Sequence, residues 1–139
     1  MDRRRKIKVA FNEFNLQNMQ TLEFFYANDV QFCDPVKKID GLSHLKEYYQ
    51  ELYKNVESIS FDFHRFIEED NAVACEWTMK IAVKKLNSAR PYEVKGSSFF
   101  NFNEENLVSY HRDFFDVGEM LYEKIPVYGA ITQFIKSKL

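Results

Sequence analysis

Apolar residues recur at helical spacing in the first part of the chain, where successive members lie three or four positions apart. One set comprises Ile7, Ala10, Phe11 and Phe14, a second Met19, Leu22, Phe25 and Tyr26, and a third Leu45, Tyr48, Tyr49, Leu52, Tyr53 and Val56. The spacing predicts helices over about residues 3–15 and 42–55, with a second helix between them after a polar break. A short strand, VQFCD, is expected before the third helix, because Pro35 holds Asp34 extended and cannot donate to a ladder.

The pattern changes to that of strands in the second half of the chain. Runs rich in Phe, Val, Ile, Tyr and Trp follow one another at about residues 59–70, 72–85, 92–103 and 107–116. In the second run Cys75, Trp77, Met79 and Ile81 alternate with Glu76, Thr78 and Lys80, which predicts one apolar and one polar face. A final helix is expected from Pro126, with an apolar side that carries Ile131, Phe134 and Ile135. This order predicts an α+β fold in which a curved antiparallel sheet wraps the amino-terminal helices.

Composition favours a single folded domain over residues 1–139. The chain has only four glycines and three prolines and no Ser/Gly-rich linker. Aromatic residues make up 17% of it, so that a sizeable apolar core is expected.

Charge and cysteine content exclude several classes of function. The formal net charge of -2 argues against a nucleic-acid partner bound through phosphate neutralisation. Cys33 and Cys75 have no second Cys or His at metal-ligand spacing, so they are interpreted as reduced thiols and no metal site is expected. No apolar run approaches the roughly 20 residues of a membrane span, and the amino terminus lacks a signal-peptide pattern, so a cytoplasmic location is expected.

Two segments resemble the nuclear transport factor 2-like superfamily. FYANDVQFCDPVKKIDGLSHLKEYYQELY is similar to the segment that joins helices two and three there, and NLVSYHRDFFDVGEML to the last strand of the SnoaL-like and limonene epoxide hydrolase-like branches. YKNVESISFDFH, WTM and YHRDFFDVGEMLYEKIP resemble motifs of small bacterial proteins in the SnoaL-like branch. The resemblance implies a conical fold with an extra carboxyl-terminal helix, a pocket between sheet and helices, and homodimers formed through the outer sheet face.

The ketosteroid isomerase branch uses an Asp base with an oxyanion hole made of a Tyr and a protonated Asp. Asp34 stands where that branch carries its base. Ala10 and Ser98 stand where it carries the two residues of the oxyanion hole. The resemblance therefore supplies a base without its oxyanion hole.

In the epoxide hydrolase branch, Asp113 matches the aspartate that activates water. Trp77 and Met79 replace the Arg and the second Asp of that site, while Phe32 and Asp34 replace its water-holding Tyr and Asn. Neither known active site is complete in this sequence.

Alternation along the last strand places Asp113 and His111 on one face, which the resemblance implies is the pocket side. A carboxylate among apolar side chains is poorly solvated, a situation suited to a general acid or base. The candidate catalytic residues are Asp113, Asp34 and His111. The candidate ligand-binding residues are Trp77, Met79, Phe32, Tyr49, Ser98, Phe100 and Phe115. Structural alternatives remain open: Asp113 as an internal hydrogen-bond acceptor, Asp34 as a turn former, and the aromatic residues as core.

Two functional hypotheses follow. The first is an isomerase, cyclase or epoxide hydrolase-like enzyme that needs no metal or organic cofactor and acts on a small apolar molecule, such as a lipid, terpenoid or ring compound. The second is a noncatalytic ligand-binding or dimerisation module. In either case a homodimer is expected through the outer face of the sheet, which is predicted to carry Asp62, His64, Phe66, Glu76 and Thr78.

Overall fold

The computed structural model describes residues 2–120 and 126–139, and its first element is helix α1 (Arg3–Glu13). Asp2 caps this helix, because its carboxylate accepts a hydrogen bond from the backbone N–H of Arg5 at 3.0 Å. Ile7 and Ala10 are buried on the side that faces the core. The first predicted helix is confirmed.

The second predicted helix is wrong in type and extent. Met19–Phe24 forms a 3-10 helix, and Tyr26 already belongs to strand β1 (Tyr26–Cys33). A three-residue turn also brings positions three apart onto one side, so apolar spacing does not distinguish it from an α-helix. The backbone N–H of Val108 donates to the carbonyl oxygen of Phe25 at 2.8 Å. This hydrogen bond joins the end of the 3-10 segment to the sheet.

The remaining elements follow the predicted order, with one additional strand. The short edge strand β2 (Lys38–Asp40) pairs with β1 and was not expected from the pattern. Helix α2 (Leu42–Lys54) confirms the third predicted helix. The four predicted strands correspond to β3 (Val56–Glu69), β4 (Ala72–Val83), β5 (Tyr92–Phe102) and β6 (Val108–Phe115).

The strands form one six-stranded sheet in the order β2-β1-β6-β5-β4-β3. Neighbouring strands are antiparallel, except that β1 and β6 run parallel. The sheet is curved and unclosed, and its inner face packs against α1 through β3 and against α2 through β1. The predicted α+β architecture, a conical sheet around helices, is confirmed.

A bulge in β3 changes which side chains face inward. The register between β3 and β4 shifts after Phe63, so that Phe66 pairs with Cys75 and stacks on the Phe63 ring at a centroid distance of 5.4 Å. Phe66 therefore packs against the core, and its predicted place on the outer face is wrong, because one extra residue reverses the alternation. His64 does lie outside, where its Nε2 is 2.8 Å from Oγ1 of Thr78.

Two helices end the described chain, α3 (Val117–Met120) and α4 (Pro126–Ser137). The predicted final helix is confirmed, although Ile131, Phe134 and Ile135 are all more than half exposed. Within the described ranges, no helix combines the length and apolar content that crossing a membrane requires.

Candidate functional site

A cavity of about 450 Å³ lies between the inner face of the sheet and helices α1 and α2. Most of its wall is aromatic or aliphatic and includes Phe11, Phe14, Phe32, Phe61, Trp77, Met79, Ile81 and Phe115. Polar and charged side chains are a minority and include Tyr26, Asp34, Tyr48, Tyr49, Tyr53, Lys84, His111 and Asp113. A concave, largely apolar site with a few convergent polar groups is typical of small-molecule pockets.

Asp113 lies in a hydrogen-bond network on the cavity wall. Its Oδ1 accepts from the hydroxyl of Ser98 at 2.5 Å and from Nε2 of His111 at 2.6 Å. Strand pairing explains the arrangement, because Ser98 and Asp113 are partners across β5 and β6 and His111 lies two residues earlier on the same face. Oδ2 accepts no hydrogen bond from any residue in the described part of the chain. The hydrogen-bonding capacity of Oδ2 is therefore not used by the described residues.

His111 is 1% exposed, and both of its ring nitrogens have partners. Because Nε2 donates to the Asp113 carboxylate, Nδ1 is the acceptor of the imidazole, and the Tyr26 hydroxyl donates to it at 2.7 Å. The Tyr49 hydroxyl donates to Tyr26 in turn, at 2.9 Å. The ring of Phe100 packs on the imidazole at a centroid distance of 4.4 Å. These contacts fix both the orientation and the tautomer of His111.

A second arm of the network begins at Trp77. Its indole N–H donates to Oγ of Ser98 at 2.8 Å, and the Ser98 hydroxyl donates to Asp113. Gly96 pairs with Trp77 across β4 and β5, and a Cβ added there would lie 2.3 Å from Cη2 of the indole. The indole therefore keeps its position only because residue 96 has no side chain. The indole in turn holds Ser98, which donates to the Asp113 carboxylate.

Ser98→Ala is expected to lower the free energy of unfolding by about 1–3 kcal/mol. The change removes the acceptor of the Trp77 indole N–H, and Ser98 is fully buried, so that water does not replace it. Urea denaturation of Ser98→Ala beside Ser97→Ala, a half-buried neighbour, measures the effect. Equal stability of the two variants would contradict a structural contribution from this arm.

Asp34 occupies a different corner of the cavity wall. Its Oδ1 accepts from the backbone N–H groups of Val36 and Lys37, both at 2.7 Å. Its Oδ2 accepts from the Tyr48 hydroxyl at 2.5 Å. Both oxygens are therefore engaged in holding the turn between β1 and β2 beside α2, as in the turn-forming alternative.

Burial and the negative charge of Asp113 keep the neighbouring acidic groups protonated. Burial raises the pKa of Tyr26 and of Tyr49 well above the usual value, and the Asp113 charge raises both further. The same two causes raise the pKa of Tyr53 to about 12 and that of the Cys75 thiol to about 12. At neutral pH these tyrosines are hydrogen-bond donors rather than bases, and Cys75 is not a thiolate nucleophile.

The family model described as the SnoaL-like domain matches residues 8–111. The chain belongs to the SnoaL-like domain family. The resemblance seen in the sequence is confirmed, although Asp113 lies two residues beyond the matched segment. No curated protein matches the chain.

Solved structures show the same fold for this SnoaL-like domain. An NTF2-like protein of unknown function from Burkholderia pseudomallei is 14% identical, with a TM-score of 0.72 over 84% of this chain and 92% of that one. An epoxide hydrolase from M. tuberculosis, similar to limonene epoxide hydrolase, is 18% identical, with a TM-score of 0.67 over 84% of each chain. A putative SnoaL-like polyketide cyclase from Jannaschia is 12% identical, with a TM-score of 0.69 over 81% of this chain and 84% of that one.

The residues singled out in the sequence of this SnoaL-like domain either line the cavity or lie directly behind its wall. Among the candidate ligand-binding residues, Phe32, Tyr49, Trp77, Met79 and Phe115 line the cavity. Ser98 and Phe100 lie behind the wall, where they contact Asp113 and His111. All three candidate catalytic residues line the cavity, but only Asp113 and His111 are hydrogen-bonded to each other. Tyr26, Tyr48 and Tyr53 also line the cavity, although no sequence pattern pointed to them.

Proposed function

We propose that this SnoaL-like domain is a proton-transfer enzyme of the isomerase, cyclase or hydrolase type, which uses Asp113 on a small, largely apolar molecule. The observation that carries the proposal is the asymmetry of the Asp113 carboxylate. Asp113 lines the cavity. Its Oδ1 accepts two hydrogen bonds, whereas its Oδ2 accepts none from the described residues. A general base needs an oriented acceptor atom within reach of the proton that it removes.

His111 has a supporting role in this proposal. Its Nε2–H holds Oδ1 of Asp113 in place, and its Nδ1 is held by Tyr26, so that the imidazole is not free to turn toward a substrate. Asp34 is the weaker candidate base, because three hydrogen bonds already engage its two oxygens. The proposed chemistry needs one proton to move to and from Oδ2 and, for the hydrolase type, a water molecule that adds to the substrate, without a metal or organic cofactor.

The probe 5-nitrobenzisoxazole tests the proposal without knowledge of the natural substrate. A base removes the proton on C3 while the N–O bond breaks, and the product is a coloured phenolate. The rate of this elimination with the wild-type protein is expected to be at least about 10²-fold higher than with the same concentration of acetate, because a positioned base acts in the cavity. An unreactive apolar compound, 2-ethylnaphthalene, should inhibit the reaction competitively.

One result would contradict the enzyme proposal. Elimination no faster than with acetate shows that no reactive base faces the cavity. If 2-ethylnaphthalene nevertheless binds, the noncatalytic ligand-binding alternative holds instead. Native mass spectrometry of protein purified from cells then gives the mass of the natural ligand.

We further propose that two copies of the chain pair through the outer face of the sheet. Phe99 and Phe114 are exposed there by 49% and 42%, and the Arg112 guanidinium lies 4.7 Å from the centre of the Phe114 ring. Sedimentation equilibrium should give twice the chain mass of 16.6 kDa at micromolar concentration, and Phe99→Glu should give the monomer. Asp34→Asn, on the opposite face, should leave the dimer intact. A monomeric wild-type protein contradicts this assembly.

A further inference from the structure

Strand β3 forms the long edge of the sheet. It comes last in the strand order and, in the described part of the chain, pairs with β4 alone. The opposite edge is the three-residue strand β2, whereas β3 has 14 residues. One row of backbone N–H and C=O groups along β3 is therefore directed away from the sheet. Such an edge pairs readily with another extended chain unless the protein covers it.

Helix α1 follows the β3 edge with one row of side chains. Arg4, Lys8 and Asn12 are spaced four residues apart, so they lie on the same side of the helix. Nε of Arg4 is 3.5 Å from Oε1 of Glu68. The Lys8 ammonium lies 5.5 Å from the centre of the Phe66 ring. The third member of the row, Asn12, reaches the middle of the strand.

Asn12 is hydrogen-bonded to the backbone of the β3 edge itself. Its Oδ1 accepts from the backbone N–H of Phe61 at 2.9 Å, and its Nδ2 donates to the carbonyl oxygen of the same residue at 3.3 Å. A residue of a neighbouring antiparallel strand would make the same two hydrogen bonds. The carboxamide of Asn12 therefore takes the place of one residue of a strand that would extend the sheet.

The positions on either side of Phe61 along the edge are open. Phe61 directs both backbone groups away from β4, so Ile59 and Phe63, which are two positions away and in regular register with β4, do the same. No described residue outside the sheet is hydrogen-bonded to the backbone of Ile59 or Phe63. Asn12 thus interrupts an otherwise open row of donors and acceptors.

We propose that the β3 edge is a self-complementary surface for a second copy of the chain and that Asn12 prevents the two copies from pairing there. About a twofold axis at Phe61, the N–H and C=O of each Phe61 meet the C=O and N–H of the other, so that the hydrogen bonds are reciprocal. Ser60 then lies opposite Asp62 of the second copy, and its hydroxyl donates to that carboxylate. The inference depends neither on the proposed activity nor on pairing through the outer face, because the edge is a separate surface.

Asn12→Ala tests the proposal in a Phe99→Glu background, in which pairing through the outer face is expected to be absent. Sedimentation equilibrium from micromolar to millimolar concentration should show the mass rise from 16.6 kDa toward twice that value. The Phe99→Glu protein that retains Asn12 should show no such rise. Asn12→Asp is the matched control: a carboxylate oxygen still accepts from the Phe61 N–H, and the charges of two copies repel each other, so no rise is expected.

Amide hydrogen exchange measured by NMR locates the association. In concentrated Asn12→Ala protein, the N–H groups of Ile59, Phe61 and Phe63 should exchange at least about tenfold more slowly than in dilute protein, because all three are bonded across the paired edges. A folded Asn12→Ala protein that does not associate, or that associates without this slowing, would show the proposal to be wrong. Loss of the fold, detected by circular dichroism, would also overturn it, since Asn12 would then be a contact required for folding.

Discussion

Asp113→Asn is expected to lower the rate of 5-nitrobenzisoxazole elimination by about 10²- to 10⁴-fold, the usual contribution of a positioned general base. The amide lacks a basic oxygen, but its carbonyl can still accept the hydrogen bonds that Ser98 and His111 now donate to Oδ1. The amide N–H2 then takes the place of Oδ2 at the cavity, where Asp113 is 17% exposed. The free energy of unfolding is therefore expected to fall by only about 1 kcal/mol, the difference between charged and neutral acceptors.

Asp34→Asn is the matched control for this prediction. It makes the same chemical change on the same cavity wall, but at a carboxylate that holds a turn and binds Tyr48. Elimination should remain close to the wild-type rate, while thermal denaturation shows a loss of stability. If Asp34→Asn abolishes elimination and Asp113→Asn does not, the base has been assigned to the wrong residue.

Gly96→Ala is expected to lower the free energy of unfolding by about 3 kcal/mol, through overpacking and a lost buried hydrogen bond. The new Cβ would lie 2.3 Å from Cη2 of Trp77 and 2.7 Å from the backbone oxygen of Phe114, so that the indole must move. Its N–H then loses Ser98, and Asp113 loses the fixed position of one donor. Urea denaturation followed by fluorescence measures the loss, since Trp77 is the single tryptophan of the chain.

A double variant separates the clash from other effects of Gly96→Ala. Trp77→Phe removes the part of the indole that the Cβ meets, so Gly96→Ala should cost less in the Trp77→Phe background than in the wild type. Circular dichroism replaces fluorescence as the probe for both variants of this background. An equal cost in the two backgrounds would show that Trp77 is not the obstacle.

Much of the fold follows from local periodicity. The helical spacing of α2 and the alternation along β4 each extend over several repeats, so the type of element is well determined there. The segment Met19–Phe24 is too short for such repetition, and the sheet extends β1 back to Tyr26 through pairing with Val108, which is 82 positions away. Sequence spacing contains no information about that partner.

The outer face of the sheet illustrates a second limit of periodicity. Alternation placed His64 correctly but failed two residues later at Phe66, because the bulge after Phe63 inserts an unpaired residue. No turn residue in FDFHRF signals the bulge. It became visible only in the register with β4.

The candidate site was predicted best where its members lie on one strand. Alternation along β6 placed His111 and Asp113 on the same face, and they are in contact. Ser98 was named only through the resemblance, and its bond to Asp113 depends on the β5–β6 register. The contact between Tyr26 and His111 joins residues 85 positions apart. Tyr26 was missed because its segment was expected to be a helix.

The proposed function requires Oδ2 of Asp113 to face the reacting group of a molecule bound in the apolar cavity. A crystal structure with 5-nitrobenzotriazole tests it most directly, because this unreactive analogue of the elimination probe presents an N–H where the probe has its acidic C–H. The structure is expected to show the ring against Trp77 and Met79, with the N–H nitrogen about 2.6–3.2 Å from Oδ2 of Asp113. An analogue whose N–H binds Asp34 instead, or one that lies outside the cavity, would contradict the proposed role of Asp113.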